Sequence, residues 1–310
     1  MGVRPFRFTV SMPPLEPSLQ RWRDRLRRIE DLGFSSVSIS DHFTGGWQMD
    51  PIVAMTVAAE ATTRLRVLSM VLGNDFRHPA VLHRSLANLD VFSGGRLEIG
   101  LGAGWKDADY LATGIPFDPA ATRVARLAEA IEVLKRLFGD EPVSFQGKYY
   151  QLADLVGLPK PVQRPHPPLL VGGGSRRILE LAGATADIVG ISPRLAGGIE
   201  DMTADRLRQK VAWARAGAEA AGRSPDQLEF QLSIVDVRLT HRGVEHRWSS
   251  SLVRDAAPEA LAASPSVLHG DLDECVAKLI ERRERYGISY LHLGGNLEAA
   301  ALIVARLSAS

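Results

Sequence analysis

The 310-residue sequence is short of several things, and each shortage removes a class of explanation. It holds one cysteine, Cys275, so no disulfide can form within the chain and no cysteine cluster can bind a metal. Cys275 falls in a helical pattern with Val276 and Leu279, which suits a small buried apolar group better than a thiol nucleophile, since no base is local to it. No apolar run approaches the roughly 18 residues needed to span a bilayer. Met1-Gly2-Val3-Arg4-Pro5-Phe6 lacks the apolar core of a signal peptide, and the expectation is a cytoplasmic protein with no membrane partner. Neither sign of charge dominates: 37 Lys and Arg stand against 36 Asp and Glu. Nothing therefore attracts nucleic acid in general, and any anion site must be local. Lysine is scarce beside arginine (Lys106, Lys135, Lys148, Lys160, Lys210 and Lys278), a bias we attribute to a GC-rich genome before any function. There is no His-Glu-x-x-His sequence, and His78 and His83 are spaced wrongly for two ligands on one helical face, so no metal site is expected.

What is present is alternation. Short β-rich runs at Phe6 to Met12, Ser36 to Ser40, Leu65 to Leu72, Leu97 to Leu101, Leu169 to Val171, Ile188 to Ile191, Phe230 to Val237 and Tyr290 to Leu293 predict eight strands. Between them, Leu19 to Leu32, Pro51 to Ala61, Pro79 to Phe92, Ala120 to Phe138 and Glu274 to Tyr286 space their apolar residues at three and four, as helices with one buried face do. The alternation runs to the end of the chain at Asn296 to Leu307. Eight repeats predict an α/β fold, a single-domain (β/α)8 TIM barrel over residues 1–310; a doubly wound open sheet, the main competitor, usually stops at five or six strands. Two excursions exceed the short connections of a minimal barrel: an insertion after strand 4, at about 139–168, with a hairpin expected in Val143 to Tyr150, and one after strand 7, at about 240–269, with a helix-like Ser251 to Ala263. Both suit lids over the active-site face, or structural or dimer contacts.

In a barrel, chemistry sits on the loops after strand C-terminal ends, which selects Asp41, His42, Asn74, Gly102 to Trp105, Gly172 to Ser175 and Pro193-Arg194. The run Leu169-Leu170-Val171-Gly172-Gly173-Gly174-Ser175-Arg176-Arg177 is the most informative. Glycines let backbone approach an anion, and the free N–H groups of a helix's first turn point at it; plain turn chemistry is the competing reading. Ser40-Asp41-His42-Phe43 brings a carboxylate and an imidazole to the mouth, and His is the side chain suited to exchange protons near neutral pH. Adjacent residues on extended backbone point opposite ways, so the two need not touch, and a capping Asp41 with a satisfied loop histidine is the plainer alternative. In Gly100-Leu101-Gly102-Ala103-Gly104-Trp105 the small residues would let a flat ring or phosphate lie against backbone, with Trp105 as a wall, although a close-packed barrel end explains the glycines equally well. Ser93-Gly94-Gly95-Arg96 reads as a helix C-terminal stop.

Taken together, Ser40-Asp41-His42-Phe43, Phe76-Arg77-His78-Pro79, Leu89-Asp90 with Ser93 to Leu97, Gly102 to Trp105, and Val171 to Gly174 resemble the bacterial luciferase-like flavin and deazaflavin oxidoreductases over nearly the whole chain. The likeness is greatest to the actinobacterial branch that uses coenzyme F420, an 8-hydroxy-5-deazaflavin. The resemblance implies hydride transfer between F420 and a small organic substrate. The cofactor phosphate would be held by Gly173, Gly174 and Ser175, and the ring would lie by Asp41 and His42 with Met70 and Val71 behind it; Gly172, Asn74, Gly102, Gly104 and Trp105 are the further cofactor-binding candidates. His42 is then the expected proton donor or acceptor, with Asp41 beside it. The resemblance also implies a non-proline cis peptide between Met70 and Val71, and a homodimer burying helices near the second and third strands. The alternatives are a two-component monooxygenase using reduced FMN and oxygen, and a flavin-binding protein without turnover. Sugar-phosphate dehydrogenases of this family carry a glutamate acid where this chain has Trp105, which argues for a planar or apolar substrate instead.

Overall fold

The computed structural model describes residues 4–194, 201–250, 253, 256–294 and 296–308. The chain runs β1 (Arg7–Ser11), α1 (Leu19–Asp31), β2 (Ser36–Ile39), α2 (Pro51–Ala61), β3 (Arg66–Ser69), β4 (Leu72–Gly73), α3 (Pro79–Phe92) and β5 (Leu97–Gly102). It continues through α4 (Asp107–Thr113), α5 (Ala120–Phe138), β6 (Val143–Gln146), β7 (Gln151–Leu155), β8 (Leu169–Gly173), α6 (Arg176–Thr185), β9 (Ile188–Ile191) and α7 (Ala204–Ala220). The last part holds β10 (Glu229–Ser233), β11 (Asp236–His241), β12 (Val244–Ser249), α8 (Pro258–Ala262), β13 (Val267–Asp271), α9 (Leu272–Tyr286), β14 (Ile288–His292) and α10 (Leu297–Ser308).

The eight expected strands are there, as β1, β2, β3, β5, β8, β9, β10 and β14. They pair in the order β3-β2-β1-β14-β10-β9-β8-β5, and β3 pairs again with β5, closing a parallel (β/α)8 barrel. The parallel registers include Phe8 opposite Leu291, Phe230 opposite Val189, Val67 opposite Leu97 and Ile99 opposite Leu169. Among the described residues no helix is long and apolar enough to cross a membrane.

By packing, the chain divides into two compact units: Met1–Met12, Arg25–Val37 and Gly172–Ser310, and Pro13–Asp24 with Ser38–Val171. In the second unit the helix ends follow from local chemistry. Asp50 accepts from the backbone N–H of Ile52 and Val53 and Pro51 opens α2; His78 accepts from Ala80 N and Pro79 opens α3. Proline costs nothing at that position because its missing N–H would have had no partner. Gly94 and Gly95 end α3 at φ 65° and 83°, as the Ser93-Gly94-Gly95-Arg96 stop requires. Arg96 then donates to the carbonyls of Ala59, Leu65 and Ser93, collecting orphan acceptors after α2 and α3. The first insertion is a hairpin of β6 and β7 packed on α5 through Ala130, Val133, Leu137, Val143, Tyr150 and Leu152. The segment Val143 to Tyr150 contains only its first strand and turn.

Three boundaries differ from the sequence pattern. The third strand is interrupted at Met70-Val71, whose peptide is cis, leaving β4 as a separate pair of residues on β5. The seventh ends at Ser233. Beyond Ile234-Val235 the same alternation continues as β11, which leaves the barrel to pair antiparallel with β12 and parallel with β13, so the second excursion starts at Asp236. Of the helix expected over Ser251 to Ala263, the described residues show an α-helix at Pro258–Ala262, which opens on Pro258 because proline disfavours helical backbone in the residue before it and belongs in the first turn; Ser251, Leu252, Arg254 and Asp255 lie outside the described residues.

Candidate active site

Asp41 and His42 follow β2 and point apart, each into its own network. Asp41 is buried at 5% exposure. Its Oδ2 accepts from Arg77 Nη1 at 2.5 Å and from Gly73 N at 3.1 Å, and its Oδ1 from Arg77 Nη2 at 3.3 Å. Arg77 reaches on to Asp50 at 2.8 Å, tying this loop to the start of α2. Both oxygens of Asp41 are thus committed to holding β4 and Arg77 in place.

His42 has a different partner, Asp109 on α4. The Nδ1 to Oδ2 distance is 2.6 Å, with the Asp109 side chain 1% exposed and that of His42 15% exposed. The other oxygen of Asp109 accepts from Thr44 N, Thr44 Oγ1 and Phe43 N at 2.9, 2.5 and 3.2 Å. Burial alone would raise the pKa of this carboxyl, but the bonds from Thr44, His42 and the Thr44 and Phe43 backbone overcome it and hold the group at about 2. An ionised carboxylate only accepts, so Nδ1 carries the hydrogen and Nε2 is left to take or give a proton. Trp47 and Trp105 flank the imidazole at ring distances of 5.4 and 5.5 Å.

The other site residues expected in this unit lie around that loop. Met70 N donates to Ile39 O and its own carbonyl accepts from Ser40 Oγ. Asn74 is buried and donates to Tyr150 OH at 3.2 Å. The glycines of β5 and its loop serve close packing: a Cβ on Gly100 would lie 1.9 Å from Ser69 O, on Gly102 2.5 Å from Val71 Cγ2, and on Gly104 1.8 Å from Tyr110 OH.

In the first unit, β8 passes through Gly172 and Gly173 into Gly174, Ser175 and α6. A Cβ on Gly173 would lie 2.3 Å from Ile178 Cγ2 and one on Gly174 2.5 Å from Ser192 O, so bare backbone is needed for the turn itself. Ser175 is the N-cap, yet its side chain makes no bond to the helix, leaving both the hydroxyl and the first-turn N–H groups of α6 without a side-chain cap. That is the donor set a phosphate takes. Behind it Ser192 N donates to Gly173 O at 3.0 Å. Lys210, 3% exposed, donates to Ser192 O at 2.8 Å and pairs with Asp201 at 2.6 Å, and Asp201 also accepts from Arg194 N at 2.5 Å.

Asp109, Asp201 and Lys210 have no counterpart in the sequence reading. Asp109 had one faint signal, a carboxylate soon after a barrel strand's C-terminal end; the other two had none.

A family model for luciferase-like monooxygenase matches residues 3–237. The chain belongs to that family. Among the relatives of this luciferase-like chain are an FMNH(2)-dependent dimethylsulfone monooxygenase of Pseudomonas putida, 30% identical over 187 residues, 59% of this chain and 51% of that one, and an F420-dependent glucose-6-phosphate dehydrogenase of Amycolatopsis mediterranei (strain U-32), 30% identical over 242 residues, 76% of this chain and 69% of that one. The chain thus spans about half the length of the first. The fold is that of the coenzyme F420-dependent tetrahydromethanopterin reductase of Methanopyrus kandleri, with a TM-score of 0.75 at 19% identity over 97% of this chain and 98% of that one.

Proposed function

We propose that the protein is an F420-dependent oxidoreductase that moves hydride between the deazaflavin and a small organic substrate, with His42 handling the accompanying proton. The observation that carries the reading is the His42–Asp109 pair, which fixes one tautomer and leaves Nε2 for acid–base work. Relatives named F420-dependent support the cofactor, and so does the donor set at Ser175 and α6, which suits a phosphate. Gly172, Gly173, Gly174 and Ser175 would hold that phosphate. Asp41 acts as a positioning residue, since it braces Arg77 and β4 rather than reaching outward.

Bound deazaflavin supplies a carbon centre for two-electron transfer. The chain's own residues do the rest. In the reducing direction His42 gives the proton on Nε2 to the substrate oxygen as hydride reaches the neighbouring carbon; in the oxidising direction it removes that proton. Asp109 stays ionised throughout, keeps Nδ1–H oriented, and supports the imidazolium whenever both nitrogens are protonated.

The second reading, a monooxygenase using reduced FMN and oxygen, is favoured by the name of the dimethylsulfone relative. Supplying reduced F420 or reduced FMN together with a panel of carbonyl compounds separates the two. Deazaflavin oxidation without oxygen uptake is the expected outcome. Protein-dependent oxygenation of a panel compound with reduced FMN, without deazaflavin oxidation, would overturn it in favour of the second.

A further inference from the structure

Two tryptophans lie beside His42, and the described cations of its cluster are bonded to protein groups. Trp47 and Trp105 lie at 48° and 81° to the imidazole plane and are 45% and 54% exposed. Beside them Phe43 stacks edge-on to Phe76 at 5.0 Å, Phe76 meets Tyr110 at 5.3 Å, and Tyr110 meets Phe117 at 4.7 Å. Phe43 and Phe117 also stay substantially exposed. Exposed indoles and phenyl rings clustered at a proton-transfer group form an apolar rim with ring faces to offer.

The cations of the same cluster are spent on protein. Arg77 pairs with Asp41 and Asp50, and Lys106 donates to Thr44 O at 2.8 Å with Asp109 at 3.8 Å. Arg123 donates to Ala103 O and covers the Phe117 ring at 4.0 Å. Arg126 pairs with Asp75 and Asp118. An anionic substrate approaching this rim would compete with protein acceptors for each of these cations. A neutral ring stacks on indole without disturbing any of them.

We propose that Trp105, with Trp47, selects a neutral substrate carrying a planar aromatic group next to the reacting carbon: an aryl ketone or aldehyde in the reducing direction, the matching alcohol in the other. This rests on the function proposed above. In the reducing direction the C=O π bond breaks, hydride from the reduced deazaflavin joins the carbon, and the proton of His42 Nε2 joins the oxygen. The deazaflavin is oxidised by two electrons, and water reprotonates His42. The inference sets this chain apart from relatives named for a sugar phosphate.

The test is binding, so it does not depend on turnover. F420 affinity is measured first, by cofactor fluorescence. The full chain, with and without oxidised F420, is then titrated with 2-acetonaphthone and separately with glucose 6-phosphate, by calorimetry and tryptophan quenching. The expected result is saturable ketone binding, weakened about tenfold or more by Trp105→Ala and by Trp47→Ala, kept within about threefold by Trp105→Phe, and no binding of glucose 6-phosphate. Ketone binding that ignores both alanine variants, no ketone binding, or preference for glucose 6-phosphate overturns the proposal. Failure to bind F420 with tryptophan-dependent ketone binding intact would overturn the function reading and leave the rim standing; the reverse pattern would do the opposite.

Discussion

Replacing Asp109 by Asn keeps the shape of the His42 partner and removes its charge. The contact is 2.6 Å; with charge centres about 4 Å apart and an effective dielectric constant near 20, an imidazolium and a carboxylate attract by about 4 kcal/mol. The amide's single oxygen goes to the three donors of Thr44 and Phe43, which turns its NH2 toward Nδ1 and returns nothing to the protonated ring. About 4 kcal/mol of support for the doubly protonated ring is therefore lost, on the order of 1,000-fold in any step where His42 carries the extra proton. Thr44 and Phe43 can still donate to the amide oxygen, so the fold should lose only about 2 kcal/mol, a Tm fall of a few degrees. Single-turnover deazaflavin absorbance, cofactor titration and thermal melts read these separately. His42→Asn should be slowed at least as much, and the double variant no further than His42→Asn alone, because the two residues act as one unit. Near wild-type rates in Asp109→Asn with the cofactor bound, or multiplicative losses in the double variant, would refute the pairing as functional.

Further expectations follow from neighbouring residues. Ser175→Asp should weaken cofactor binding about tenfold or more by placing a carboxylate where phosphate is expected, yet leave Tm unchanged, since Asp caps helices as well as Ser; a fluorescence titration with a melt decides it. Lys210→Met should destabilise by about 3 kcal/mol, because it strands part of the buried Asp201 charge. Burial pushes the pKa of Asp201 up, but bonds from Arg194 N and Lys210 prevail and lower it, so its stabilising contribution is complete above the ordinary carboxylate value of 3.8 and fades as pH falls below it. The stability gap between wild type and Lys210→Met should accordingly narrow on acidification, measured by denaturant melts across that range. Val53 and Val81, each 64% exposed on α2 and α3, should belong to a homodimer contact; Val53→Asp with Val81→Asp should give monomers by light scattering, and an unchanged mass would contradict the dimer.

The helices were legible where proline and a cap coincide: α2 and α3 begin at Pro51 and Pro79 because Asp50 and His78 close their first turns. The barrel strands were legible because buried parallel strands read as continuous apolar runs. The β10 to β11 boundary was hidden, since Ile234 and Val235 continue the pattern while the chain changes sheets. Met70-Val71 came from family resemblance rather than periodicity. His42 could be picked out by residue type and position, but Asp109 is 67 residues further along, on a short helix whose spacing carries no mark of the contact. Likewise nothing local announces that Lys210 stands beneath Ser192. Pairings of this kind depend on how loops converge, and one-dimensional patterns do not encode them.

The most direct test of the central claim is an equilibrium titration of the protein with F420 and, separately, with FMN, in wild type and Ser175→Asp. The account predicts micromolar or tighter binding of F420, much weaker binding of FMN, and loss of the F420 signal in the variant. Preference for FMN, or F420 binding indifferent to Ser175→Asp, would contradict it.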